Sequence, residues 1–563
     1  MATDARASST TEPLLRPPGE VMRLARMGSA FPTRLSFMRI LIRRMHREGW
    51  RIAPREVALD EHGFGHAVYE AVTPDRVYSL VAFSNALDPE RRTDRVIADA
   101  WDTTFTLFDG RPGTDDIERL RANTPKQEAG RFEPRDLVLS RANKSVRLFE
   151  HVCGSLGHGV QPDRELLGRI GYLMRTTAVY GNGKFGIADR GRIRGRPELA
   201  APFQAELLTV YLIRCFTLDL VEHVARGRGG RDAVPLDRDL KRILGIGNST
   251  GLGMAPFLVT HPALIHNWIH ARELALSRVL AVETPTPGDI VQFEALLARA
   301  LKHVHEWDVD DEIQSARIEA LRGELNALST WLDEGKAPRR RPWRAIHCWT
   351  ADHCGLEAQE LVVSLLLETC PSLVDPLEDG LSSEFVEELD TSWTTGEVKR
   401  CLEARYRWAI DTDFDDHARQ ALFWYTSEDK LEPRLGRRFD EPGAEREMPL
   451  AIARDVNTLY RLLAGTLDDE SIAVFALRHP HTRHVLTRIQ TVAGHPYGEI
   501  NDNLIDETCR PIDLLRCKLA YFGALKFDPR SDRWTRITLY QGAPLADELD
   551  LDGADDWAFA TVG

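Results

Sequence analysis

From about residue 134 onward, apolar residues recur at helical spacing in segment after segment, and this periodicity limits most what the chain can fold into. It predicts helices over 134–154, 163–176, 202–226, 255–283 and 288–333. The last should break near 307–311, because it would otherwise be too long for an ordinary globular helix. The same pattern covers 343–369, 394–410, 449–464, 471–478 and 482–493. The expected fold class is therefore mainly α, a multi-helix, bundle-like body.

Strand texture is limited to the two ends. After a helical pattern at 33–48, the segments 65–73, 76–84 and 95–108 are rich in Val, Tyr, Phe, Trp and Thr. Turn residues such as Thr73-Pro74-Asp75 punctuate them, which predicts a small antiparallel meander in an N-terminal α+β region. Near the other end, 526–528 and 534–540 flank Pro529-Arg530-Ser531-Asp532 and read as a C-terminal β-hairpin.

A chain of 563 residues exceeds one ordinary core. The expected division is a disordered start at 1–18, the α+β region at 19–125, a helical domain with glycine-rich loops at 126–335, and a second helical domain at 343–563. Helix breakers and Arg339-Arg340-Arg341 make 334–342 the linker.

A net charge of −14 argues against general nucleic-acid binding, which needs clustered positive charge. The charge is unevenly spread. Between Arg16 and Arg55 stand ten arginines and only two acids, Glu20 and Glu48, whereas 547–556 holds six acids and no base. Met22, Leu35, Met38, Ile42 and Met45 add an apolar stripe to the basic segment, so it should dock on acidic surface of its own chain or of a second copy. The latter would make a homo-oligomer through the basic N-terminal helix and the acidic tail.

No apolar run reaches the eighteen residues of a membrane span. The nearest, 207–221, is interrupted by Arg214 and Asp219. Eight scattered cysteines and a polar N-terminus point to a reducing, cytoplasmic setting.

The residues most suited to chemistry lie in glycine-dense segments. Gly245, Gly247, Asn248, Ser249, Thr250, Gly251 and Gly253 precede Pro256 and a predicted helix. Exposed amides at a helix start can hold a carboxylate or phosphate, with Ser249 and Thr250 adding hydroxyls. The competing reading is a loop that needs glycine for close packing.

Tyr180-Gly181-Asn182-Gly183-Lys184-Phe185-Gly186 has GxGxxG form, but a helix is expected before it, which removes the dinucleotide reading. It could still present Tyr180, Lys184 and Asp189 to a cleft, as proton donors, acceptors or an anion's counter-charge.

His266 and His270 sit one helical turn apart with Glu273 three residues on, a spacing that can hold a transition metal or haem iron. Asn267 stands where a zinc peptidase needs glutamate, which removes that chemistry. Arg76-Val77-Tyr78-Ser79 and the stretch 250–257 resemble two fragments of flavin reductases. The long helical stretch between them, and two extra residues in the second, leave no family membership to infer.

The leading expectation is a soluble enzyme, an oxidoreductase or lyase rather than a hydrolase, that binds a small anionic substrate at 245–253. His266, Tyr180, Lys184 and Asp189 would be its acid–base groups. The alternatives are a metal- or haem-dependent oxidoreductase using His266, His270 and Glu273, and a non-enzymatic helical interaction protein.

Overall fold

Among the described residues, ten of the strands gather into one sheet. The computed structural model describes residues 15–88, 101–123, 133–181, 184–185, 193, 195–251, 261–381, 388–416, 425–426, 433–434, 450–501, 511–531 and 534–561. Its strands are β1 (Arg51–Leu59), β2 (Gly65–Val72), β3 (Val77–Ser84), β4 (Thr103–Asp109), β5 (Asp136–Lys144), β6 (Tyr172–Gly181), β7 (Lys184–Phe185), β8 (Gly245–Gly251), β9 (Tyr425–Thr426), β10 (Pro433–Arg434), β11 (Phe527–Ser531) and β12 (Trp534–Leu539).

The sheet order is β1-β2-β3-β4-β5-β6-β8-β12-β11, with β7 folding back on β6. Every pair along it is antiparallel except β6 with β8. β9 and β10 form a separate two-stranded ribbon.

This overturns the mainly α expectation of a bundle with a small meander at one end and a hairpin at the other. The meander and the hairpin belong to the same large mixed sheet. The bridging strands came from segments that read as helix or turn. Residues 134–154 divide into β5 and the helix Val146–Gly157, and 163–176 into the helix Arg164–Ile170 and β6. The glycine-dense 245–251 is a central strand, not a turn at a helix entrance. β5 is buried on both faces, so it shows no alternation, and short apolar runs of that kind mimic helix.

The helix Gln204–Gly229 crosses one face of the sheet and is buried along most of its length. The helix Phe37–Arg47 packs against it, and its arginines reach the helical half of the molecule. There the helices Pro262–Leu280, Pro287–His305, Glu312–Asp333 and Leu356–Thr369 pack together, and the last is buried on nearly every side. The break expected near 307–311 is present between the second and third of these. Thr286 caps one with a capping box, and the Asp311 carboxylate caps the next.

The basic N-terminal segment is occupied by acids of its own chain. Arg34 makes paired hydrogen bonds of 2.7 Å to Asp375 and another to Asp555. Arg39 reaches Glu368, and both Arg43 and Arg47 reach Glu378. Arg16 and Arg26 donate to Glu360 at 2.8 and 2.7 Å. Asp555 belongs to the acidic C-terminal stretch, so part of the two charged ends meets within one chain.

Candidate functional site

A cleft of about 940 Å³ opens between the helix Arg164–Ile170, the connection 306–310 and the hairpin β11–β12. Its floor depends on the glycines of β8. In the antiparallel pairing Thr538 lies opposite Gly247 and Arg536 opposite Ser249, so these positions share a face. A Cβ on Gly247 would stand 2.6 Å from the Tyr172 ring, and one on Gly245 would stand 2.1 Å from the Leu539 carbonyl oxygen. Glycine is needed here for close approach of neighbouring groups. Tyr172, Thr538 and Gln541 line the cleft and rest against these bare positions.

Charge of both signs faces this space. Arg164, Arg169, Lys526 and Arg536 bring positive groups, and Glu165, Glu306, Asp308, Asp310 and Asp528 bring negative ones. Asp528 is the cross-strand partner of Arg536. Burial pulls the Lys526 ammonium below its ordinary pKa, and the opposing pull of Glu306 is the smaller effect. Behind it, His303 is fully enclosed; burial first, then the charge of Lys526, pushes it down to about 3 against a hydrogen bond to Ala560. Its Nδ1 donates to the Ala560 carbonyl at 2.7 Å, which leaves Nε2 as an acceptor. Among the described residues neither His303 Nε2 nor the Trp307 indole N–H has a hydrogen-bond partner.

These groups have definite chemical capacities. Guanidinium and ammonium groups hold carboxylates and phosphates by charge-assisted hydrogen bonds. A desolvated lysine is a nucleophile or base at a pH where an exposed one is not. Glu306 and Asp528 can give and take protons beside it.

His266, His270 and Glu273 lie elsewhere, on the helix Pro262–Leu280. The two histidine rings stack at 5.3 Å, His495 meets His266 edge-on at 4.9 Å, and the Tyr497 backbone N–H donates to His266 Nδ1 at 3.1 Å. The Glu273 carboxylate accepts from Arg16 at 2.8 and 2.7 Å and from Arg272 at 3.3 Å. A metal on the two histidines would have to compete with both arginines for it. Among the described residues no group of three His, Cys, Asp or Glu side chains is placed to hold a metal ion.

Burial, then His495, then His270 and Arg405 lower the His266 pKa to about 4. A histidine held neutral in the fold stabilises it fully above the unfolded value near 6.5. That contribution is lost as pH falls from about 6.5 toward 4. His266→Asn keeps an acceptor for the Tyr497 N–H and should flatten this loss. Urea midpoints for both proteins, followed from neutral pH down to about 4, should converge; parallel curves would contradict the assignment.

The other expected site residues that are described belong to β6, β7 and β8 in the middle of the sheet. β6 and β8 run parallel, with Thr176 opposite Asn248, so both glycine-dense segments leave from adjacent strands at the same end. Tyr180 pairs with Phe185 and Gly181 with Lys184 in the β6–β7 turn. A strand therefore precedes that GxGxxG, contrary to expectation, and the chain returns from it as β7. Gly251 pairs with Trp534. Asp189 and Gly253 lie outside the described residues.

Sequence reasoning did not single out Lys526, Arg536, Glu306 or Tyr172. A signal was present in the hairpin, where Asp528, Arg536 and Thr538 alternate with Phe527, Ile537 and Leu539 to leave one polar face over an apolar one. The chain matches no protein-family model, no curated protein and no solved structure.

Proposed function

We propose that the protein is an enzyme acting on a small carboxylate- or phosphate-bearing substrate held in the cleft between the hairpin β11–β12 and the connection 306–310. The observation that carries this reading is the meeting of a desolvated lysine with arginines in one roomy cleft. Lys526 immediately precedes β11, Arg536 stands on β12, and Arg169 enters from the helix Arg164–Ile170. Titratable groups with environment-shifted pKa values, gathered in a cleft, are the usual mark of a reactive site.

The anion binds here and not on the amides of 245–251, because that segment is a strand pairing on both sides. No observation favours the metal or haem alternative, since Glu273 is engaged by Arg16 and Arg272.

Titration calorimetry with sodium phosphate and with sodium pyruvate tests the reading. One site per chain is expected. Arg536→Met and Arg169→Met should each weaken it about tenfold or more, the worth of one charge-assisted hydrogen bond. Absence of binding by both anions, or affinities unchanged in both variants, would overturn the proposal.

A further inference from the structure

We infer that Lys526 is a nucleophile whose amine condenses with the carbonyl carbon of a 2-oxo acid held in the same cleft, forming an imine. The inference rests on the reading of the cleft as an anion site and names its substrate class.

Three observations carry it. Lys526 faces an open cleft of about 940 Å³ while most of its surroundings are protein, so its amine is desolvated yet reachable by a small molecule. The positive group that would hold a carboxylate is close by. Arg536 stands opposite Asp528, two residues along the chain from Lys526, and two residues of extended chain span about 7 Å. A molecule with its carboxylate on Arg536 and its carbonyl carbon at Lys526 is therefore a short one, and a 2-oxo acid is the simplest that carries both groups. Finally, acids are at hand for the proton steps: Glu306 acts electrostatically on Lys526, and Asp528 lines the same wall.

The step balances without an outside oxidant or reductant. The amine nitrogen forms a bond to the carbonyl carbon as the C=O π pair moves to oxygen. One proton passes from nitrogen to that oxygen, giving a carbinolamine. Glu306 or Asp528, having taken the proton that the Lys526 ammonium gives up on becoming a free amine, then returns it to the hydroxyl, which leaves as water while the nitrogen pair closes the C=N bond. The iminium draws electrons from the neighbouring carbon, which makes breaking or forming a bond at that carbon the class of reaction served. Enclosed and neutral, His303 adds no second positive charge beside the nitrogen at neutral pH.

The test is reductive trapping on the full chain. The protein is incubated at neutral pH with pyruvate, and in parallel with glyoxylate, then reduced with sodium borohydride and mapped by peptide mass spectrometry. The expected result is a reduced adduct on Lys526 enriched by about tenfold or more over any exposed lysine, because the neutral amine is the form that condenses. Lys526→Arg should lose that adduct while still binding phosphate by calorimetry, since the positive charge remains. Label no richer at Lys526 than elsewhere with both acids, while phosphate still binds, would overturn the imine and leave the anion site standing. Failure of phosphate and pyruvate to bind at all would overturn both.

Discussion

Replacing Glu360 by alanine is expected to destabilise the protein by about 3–5 kcal/mol, the usual cost of removing one partner from a buried ion cluster. Glu360 stands on the helix Leu356–Thr369 at the centre of the helical half and is fully buried. Its carboxylate accepts from Arg16 at 2.8 Å, from Arg26 at 2.7 Å and from Arg272. Burial alone would raise its pKa, but Arg16, then Arg272 and Arg26 overcome this and hold it well below the usual carboxylate range. Without it, Arg272, only 2 % exposed at its side chain, keeps a buried charge that Glu273 must satisfy while also serving Arg16.

The paired control is Glu283, whose partners Arg340 and Arg341 are exposed; Glu283→Ala should change little, because solvent screens such pairs. Denaturant midpoints of the two variants should differ widely. If Glu360→Ala unfolds at the wild-type midpoint, the cluster is not what ties the N-terminal segment to the helical half.

Gly245→Val should also be strongly destabilising, by about 1–3 kcal/mol or more, as overpacking of a close-packed interior is. The atom its Cβ would meet at 2.1 Å is a backbone oxygen, which cannot swing aside as a side-chain tip can. Gly247→Val would press on the Tyr172 ring and should distort the cleft floor as well as the strand. Gly323 is the opposite case. It lies inside the exposed face of the helix Glu312–Asp333 with nothing within 4 Å, so Gly323→Ala should stabilise by about 0.4–1 kcal/mol. Opposite signs for Gly245 and Gly323 in chemical denaturation check the claim that β8 is a packed strand; equal effects would refute it.

The readable parts of the sequence were those whose signals are local. The helices Pro287–His305 and Glu312–Asp333 carry their own caps and amphipathic spacing, and the hairpin β11–β12 carries its own turn. The arginines of 16–47 were legible as a docking face because an apolar stripe accompanies them. What could not be read was where elements pair. β5 reads as helix because both faces are buried, and β8 reads as a turn because glycine is rare in strands. Its glycines answer to Leu539 and Tyr172, which no local pattern reveals.

The site was hidden for the same reason. The cleft is assembled from residues near 170, 306 and 530, each of which resembles ordinary polar surface in its own neighbourhood. His266 and His270 stack on one helix, but the arginines that engage Glu273 come from that same helix and from the distant N-terminal segment.

The most direct test of the account is where a heavy anion binds. Crystals of the full chain soaked in sodium tungstate, a tetrahedral oxyanion with a strong anomalous signal, should give an anomalous difference peak in contact with Lys526 and Arg536. Peaks only at other places, such as the end of the sheet where β6 and β8 terminate, or none in the cleft at saturating tungstate, would contradict the assignment of this cleft as the substrate site.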